Sequence, residues 1–152
     1  AKEYLNLAKE QLKERKQQFD EQIRIGIMIE IPAIALIADL AAEEVDFASI
    51  GSNDLTQYLS AADRMNPEVA AYYKSDSTAM LRLLGFVFRE FSKREKEISV
   101  CGEMAGNPET AQLLVGLGAR KLSMSSGNIA GVKAKLAECT LQELTALAEK
   151  KL

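Results

Sequence analysis

Four apolar stretches, each running into polar residues and each followed by a helix-patterned segment, constrain this chain more than any other feature. The first, "IRIGIMIEIP" (Ile23–Pro32), is nearly continuous in Ile and Met and is closed by a proline. Such a run predicts a strand buried on both faces, the pattern of a parallel sheet. The others are "VDFASIGS" (Val45–Ser52), "ISVCGEMAG" (Ile98–Gly106) and the shorter, weaker "RKLSMSS" (Arg120–Ser126). Helices are predicted between them over 33–45, over 54–64 with Asn53 or Asp54 as the cap, and over 77–97. Further helices are predicted over 107–119, opened by Asn107-Pro108, over 127–139, and over 140–152 behind a Thr140/Glu143 capping box. Residues 2–19 form an additional helix, rich in Lys, Glu, Gln and Leu. Residues 65–76 read as a loop or a brief turn. The chain is therefore expected to be α/β, one domain over 1–152, with a leading helix and about four parallel strand–helix units.

Composition narrows the chemistry. The net charge of −3 with dispersed Lys and Arg argues against nucleic-acid binding. No stretch reaches the roughly 18 apolar residues of a membrane span, and the charged opening segment is unlike a signal peptide. Two distant cysteines, Cys101 and Cys139, fit a reducing compartment better than a zinc site or disulfide framework. A soluble cytoplasmic protein is expected. Histidine is absent, so catalysis must use carboxylates, Arg, Asn, Ser or Cys.

In parallel α/β folds, ligands bind beyond the carboxyl ends of the strands, where loops converge on a rigid frame. Glu30 falls at such an end, amid apolar neighbours, where an unpaired carboxylate is costly. Asp54 follows the second strand. Two carboxylates with positions left for water and phosphate oxygens suit Mg²⁺. The alternatives are that Glu30 pairs with a lysine or helix amides and that Asp54 merely caps a helix. Arg64 is a candidate anion clamp, or else a solvated arginine paired with Asp63. Cys101 is either a small buried hydrophobe or a reactive thiol. The Gly116–Gly118 stretch reads as a helix stop rather than a phosphate cradle.

Two longer segments carry a resemblance. "GIMIEIPAIALIADLAAEEVDFASIGSNDLTQYLSAADRMN" and "CGEMAGNPETAQLLVGLGARKLSMSS" look like the C-terminal, phosphoenolpyruvate-binding domain of Enzyme I of the bacterial sugar phosphotransferase system. Pyruvate phosphate dikinase and phosphoenolpyruvate synthase share the "NDLTQ" stretch, but Tyr58, the Ala62–Asn66 run and "CGEMAG" fit Enzyme I better. The resemblance implies the C-terminal half of a TIM (β/α)₈ barrel. It also implies Mg²⁺ as cofactor with Glu30 and Asp54 as its ligands. Asn53 and Arg64 would then be phosphate contacts, and Cys101 the acid that protonates the enolate carbon. The implied reaction passes a phosphoryl group from phosphoenolpyruvate to a histidine of the same enzyme, and then to the carrier HPr, leaving pyruvate. A complete barrel takes about 250 residues, so this chain alone is expected to be inactive. Its open sheet edges predict a homo-oligomer. A fragment of the dikinase or synthase, a non-catalytic ligand-binding module, and a flavodoxin-like fold remain as competing readings. Strand order separates the last of these from a barrel half.

Overall fold

A computed structural model describes residues 1–152. Helix α1 spans Lys2–Glu14. Strand β1 (Gly26–Ile29) leads to α2 (Pro32–Leu36) and α3 (Ala38–Glu44), and β2 (Phe47–Gly51) leads straight into α4 (Ser52–Ser60). A 3-10 turn, Pro67–Tyr72, precedes α5 (Thr78–Lys93). Strand β3 (Glu97–Cys101) is followed by the single turn α6 (Glu103–Gly106) and by α7 (Pro108–Leu117), α8 (Ser126–Ala137) and α9 (Leu141–Glu149).

The sheet is wholly parallel with order β1-β2-β3. Neighbours in sequence are neighbours in space, which removes the flavodoxin-like alternative, where the order crosses over. Register explains which residues are sealed. Ile27, Ala48 and Ile98 align across the three strands, as do Ile29, Ile50 and Val100. Both rows point into one core cluster with Ala38 and Ala42 of α3, Leu84, Val87 and Phe91 of α5 and Leu114 of α7. Helix α5 starts at a Ser77 cap whose hydroxyl accepts the Met80 amide, and its apolar stripe supplies much of this core. Its one buried charge, Glu90, is held ionised by Lys93 and then Arg94, which draw its pKa below the ordinary carboxylate value.

The alternate rows behave differently. Met28, Ser49 and Ser99 align on the opposite face, where Met28 is 47% exposed. The expectation of a first strand buried on both faces is thus corrected: helices cover one face, and the other is open. The first strand is also shorter than predicted, because Ile23 and Arg24 lie before the paired segment.

Three further expectations change. The fourth strand shrinks to a single parallel bridge, Val100 with Leu122, although the backbone still exchanges hydrogen bonds there. Leu122 is the only apolar residue of "RKLSMSS" packed against the core, so nothing holds a longer ladder. The helix predicted over 33–45 breaks at Ile37, whose backbone leaves helical space (φ −111°, ψ 33°). Finally, α4 begins at Ser52 rather than Asp54, with Gly51 at its cap position and no side-chain cap.

Candidate active site at the strand tips

The early start of α4 decides what Asp54 can do. It is neither the cap nor a donor-bound side chain; it sits in the helix's first turn with its carboxylate free for another partner. That partner is Arg64, whose Nη1 lies 3.5 Å from Asp54 Oδ1, both side chains being more than a third exposed. The expected alternative for Arg64, a pair with Asp63, does not form; Asp63 Oδ1 instead accepts the Met65 amide at 2.9 Å. Arg64 is carried on the loop after α4, and its own amide donates to Gln57 Oε1 (3.2 Å).

Asn53 is committed on one side only. Its Oδ1 accepts the backbone N–H of Glu103 at 2.9 Å, tying the start of α4 to the start of α6. An amide oxygen so engaged leaves the NH₂ group to face a ligand acceptor. Gly102 makes this tie possible. Its φ is +93°, and a Cβ there would stand 2.5 Å from Ser52 Oγ and 2.8 Å from Asn53 Oδ1. Ser52 donates from Oγ to the Cys101 carbonyl at 2.6 Å and so ties the same two strand tips. Gly102→Ala is expected to cost about 1–3 kcal/mol from the strained backbone and clash and to displace Asn53. Urea unfolding measures the first effect and ligand titration the second.

Cys101 ends β3, half-buried, with its thiol donating to the Ile50 carbonyl at 3.3 Å. It lies on the open face of the sheet, aligned with Gly51. Glu30 continues the same row from β1, one residue past the Ile29–Ile50 pair. A Cβ on Gly51 would stand 3.1 Å from Glu30 Oε2, so the carboxylate lies against the tip of β2. Glu30 is half-buried rather than sealed, and no lysine, arginine or amide of the chain binds its carboxylate. The pairing considered for it in sequence is thus absent.

All five candidates therefore stand at the carboxyl-end rim of three consecutive parallel strands. Beside them, Asn53, Gly102, Glu103, Gly106, Met124 and Asn128 line a cleft of about 270 Å³. No group of three His, Cys, Asp or Glu side chains closes around a common point. The carboxylates at the rim are those of Glu30, which has no partner, and Asp54, which is paired with Arg64.

Residues 1–141 match the family model described as "PEP-utilising enzyme, PEP-binding domain". The chain belongs to this family. The domain is 45% identical over 142 residues to "Multiphosphoryl transfer protein 2" of Escherichia coli K12, covering 93% of this chain and 17% of that protein. It is 42% identical over 150 residues to the "Phosphoenolpyruvate-protein phosphotransferase" of Bacillus subtilis 168, covering 99% of this chain and 26% of that protein. A "Multiphosphoryl transfer protein" of Xanthomonas campestris is 47% identical over 131 residues, covering 86% of this chain and 16% of that protein. The PEP-binding domain described here thus spans about a quarter or less of these relatives' length.

Proposed function

We propose that this chain is part of the phosphoenolpyruvate site of an Enzyme I-type phosphotransferase. The enzyme would catalyse Mg²⁺-dependent transfer of the phosphoryl group from phosphoenolpyruvate to one of its own histidines, and then to HPr, as the first step of sugar uptake. The observation that carries this reading is the meeting of Glu30, Asp54, Asn53, Arg64 and Cys101 at one rim, in a chain of this family.

The roles follow from the chemistry of each group. The planar Arg64 guanidinium spreads positive charge over two phosphate oxygens. The free NH₂ of Asn53 donates to a third. Glu30 and Asp54 would hold Mg²⁺, which supplies charge neutralisation for the transferring phosphoryl group. When the P–O bond to the enol oxygen breaks and phosphorus bonds to the acceptor nitrogen, the enolate is left with excess electron density on its methylene carbon. Cys101 gives its Sγ proton to that carbon, yielding pyruvate, and the thiolate is reprotonated from water.

The histidine acceptor is absent from this sequence, and three strands make less than half of an eight-stranded barrel. The chain alone is therefore expected to bind without turning over. Calorimetry of the purified chain with Mg²⁺ and phosphoenolpyruvate tests the reading: each should strengthen binding of the other. Absence of binding for either would favour a purely structural module. Isotope exchange between pyruvate and phosphoenolpyruvate at the rate of a full-length enzyme would contradict the predicted inactivity.

The open sheet face, the free edge of β1 and the exposed side chains of Ile31, Leu36, Ile37 and Leu40 support self-association. Light scattering is expected to give a dimer or larger species at micromolar concentration, and a clean monomer would contradict it. Two free cysteines fit a cytoplasmic location. No helix is long and apolar enough to cross a membrane.

A further inference from the structure

One residue of α4 takes hold of the Arg64 loop twice. The helix ends at Ala61 in the left-handed region (φ 52°), and its last turn is closed by the Ala62 amide, which donates to the Gln57 carbonyl at 3.2 Å. The Gln57 side chain then reaches two residues further and accepts the Arg64 amide on Oε1, also at 3.2 Å. This is the only hydrogen bond made by the Arg64 backbone. Asp63 and Asn66 serve the loop itself, accepting the Met65 and Glu68 amides. Asp54 and Gln57 stand three positions apart on α4, and so on the same side of it. The first meets the Arg64 guanidinium at 3.5 Å, and the second holds its backbone.

We propose that Gln57 is a positioning residue whose amide oxygen, by accepting the Arg64 N–H, fixes the backbone from which the guanidinium reaches the rim. This inference rests on the reading of Arg64 as a phosphate contact. Packing does not hold the loop in place: Ala62 is buried, but residues 63–68 are all exposed. Asp54 is a poor sole anchor. Its contact is long, both side chains are more than a third exposed, and in the proposed site the same carboxylate is a metal ligand. A hold on the backbone is independent of where that carboxylate is engaged. It also leaves the N–H fork of the guanidinium unspent for the anion. Ordering the loop beforehand lowers the entropy lost when the anion binds.

The test compares Gln57→Met, which keeps the side chain's length and helix preference without an oxygen acceptor, with Gln57→Glu, which keeps one. Exchange of the Arg64 amide with water is read by NMR of the ¹⁵N-labelled chain. It should quicken severalfold in Gln57→Met and stay near the wild-type rate in Gln57→Glu, with the amides of β1–β3 unchanged in both. Phosphoenolpyruvate affinity in the presence of Mg²⁺ should fall roughly fivefold in Gln57→Met. Added to Arg64→Ala, which keeps the backbone bond but has no guanidinium to position, Gln57→Met should change affinity no further. A merely structural Gln57 would cost the same in both backgrounds. An unchanged Arg64 exchange rate in Gln57→Met, or equal affinity losses in the two backgrounds, would overturn the proposal. If the wild-type chain binds no phosphoenolpyruvate, the functional reading fails instead, and the exchange rate still decides whether Gln57 holds the loop.

Discussion

Asp54→Asn is expected to abolish the coupling between Mg²⁺ and phosphoenolpyruvate, lowering phosphoenolpyruvate affinity in saturating Mg²⁺ by roughly a hundredfold or more. Two effects act in opposite directions, and their signs separate the metal role from a structural one. Removing the carboxylate takes away one of two charged oxygen ligands, so binding in the presence of the ion collapses. It also frees Arg64 from its partner at 3.5 Å, so metal-free binding of inorganic phosphate should hold steady or strengthen. The helix should not suffer, because Asp54 is not its cap. Calorimetry with and without Mg²⁺ reads both arms. Equal losses in the two arms would mean that Asp54 supports the fold rather than the ion.

Cys101→Ser is expected to have the second large effect, on chemistry rather than on binding. In a full-length phosphotransferase carrying this domain, protonation of the enolate carbon should slow by about 10²–10⁴-fold, the usual contribution of a placed general acid. Phosphoenolpyruvate binding should be nearly unchanged. Serine keeps a donor to the Ile50 carbonyl, which the thiol uses here at 3.3 Å, so the local structure survives the exchange. Its hydroxyl is a far weaker acid than the thiol. A phosphoenolpyruvate–pyruvate exchange assay measures the effect, and a rate within twofold of wild type would remove Cys101 from the reaction.

Most of the architecture was legible because its signals are local. Apolar runs bounded by turn residues locate β1, β2 and β3, and capping chemistry locates α5, α7 and α9, down to the Thr140/Glu143 box. What failed to show locally was decided by tertiary contacts. The last strand's seven-residue pattern is weaker than the others, and only Leu122 of it finds a hydrophobic partner. The break at Ile37 has neither proline nor glycine to announce it. The open face of the sheet is invisible in β1, because Met28 reads as core whether or not anything covers it.

The site divides along the same line. Glu30, Asp54 and Cys101 stand out because charged or reactive groups end apolar runs, and Arg64 because it follows so soon after. Their partners do not. Ser52 on Cys101, Gln57 on Arg64 and Tyr73 on Asn53 are ordinary polar residues whose roles arise only when separate strand tips and a returning loop meet. Asp54 could be told from a helix cap only once α4 was seen to begin two residues sooner.

The proposed site requires a divalent ion held between the Glu30 and Asp54 carboxylates with a phosphorylated enol against it. A crystal of the chain soaked with Mg²⁺ and phosphoenolpyruvate tests this most directly. The expected result is one octahedral ion with an oxygen from each carboxylate at about 2.1 Å, and the phosphate between Arg64 and Asn53. An ion bound by only one of the two carboxylates, or phosphoenolpyruvate seated away from the strand tips, would contradict it.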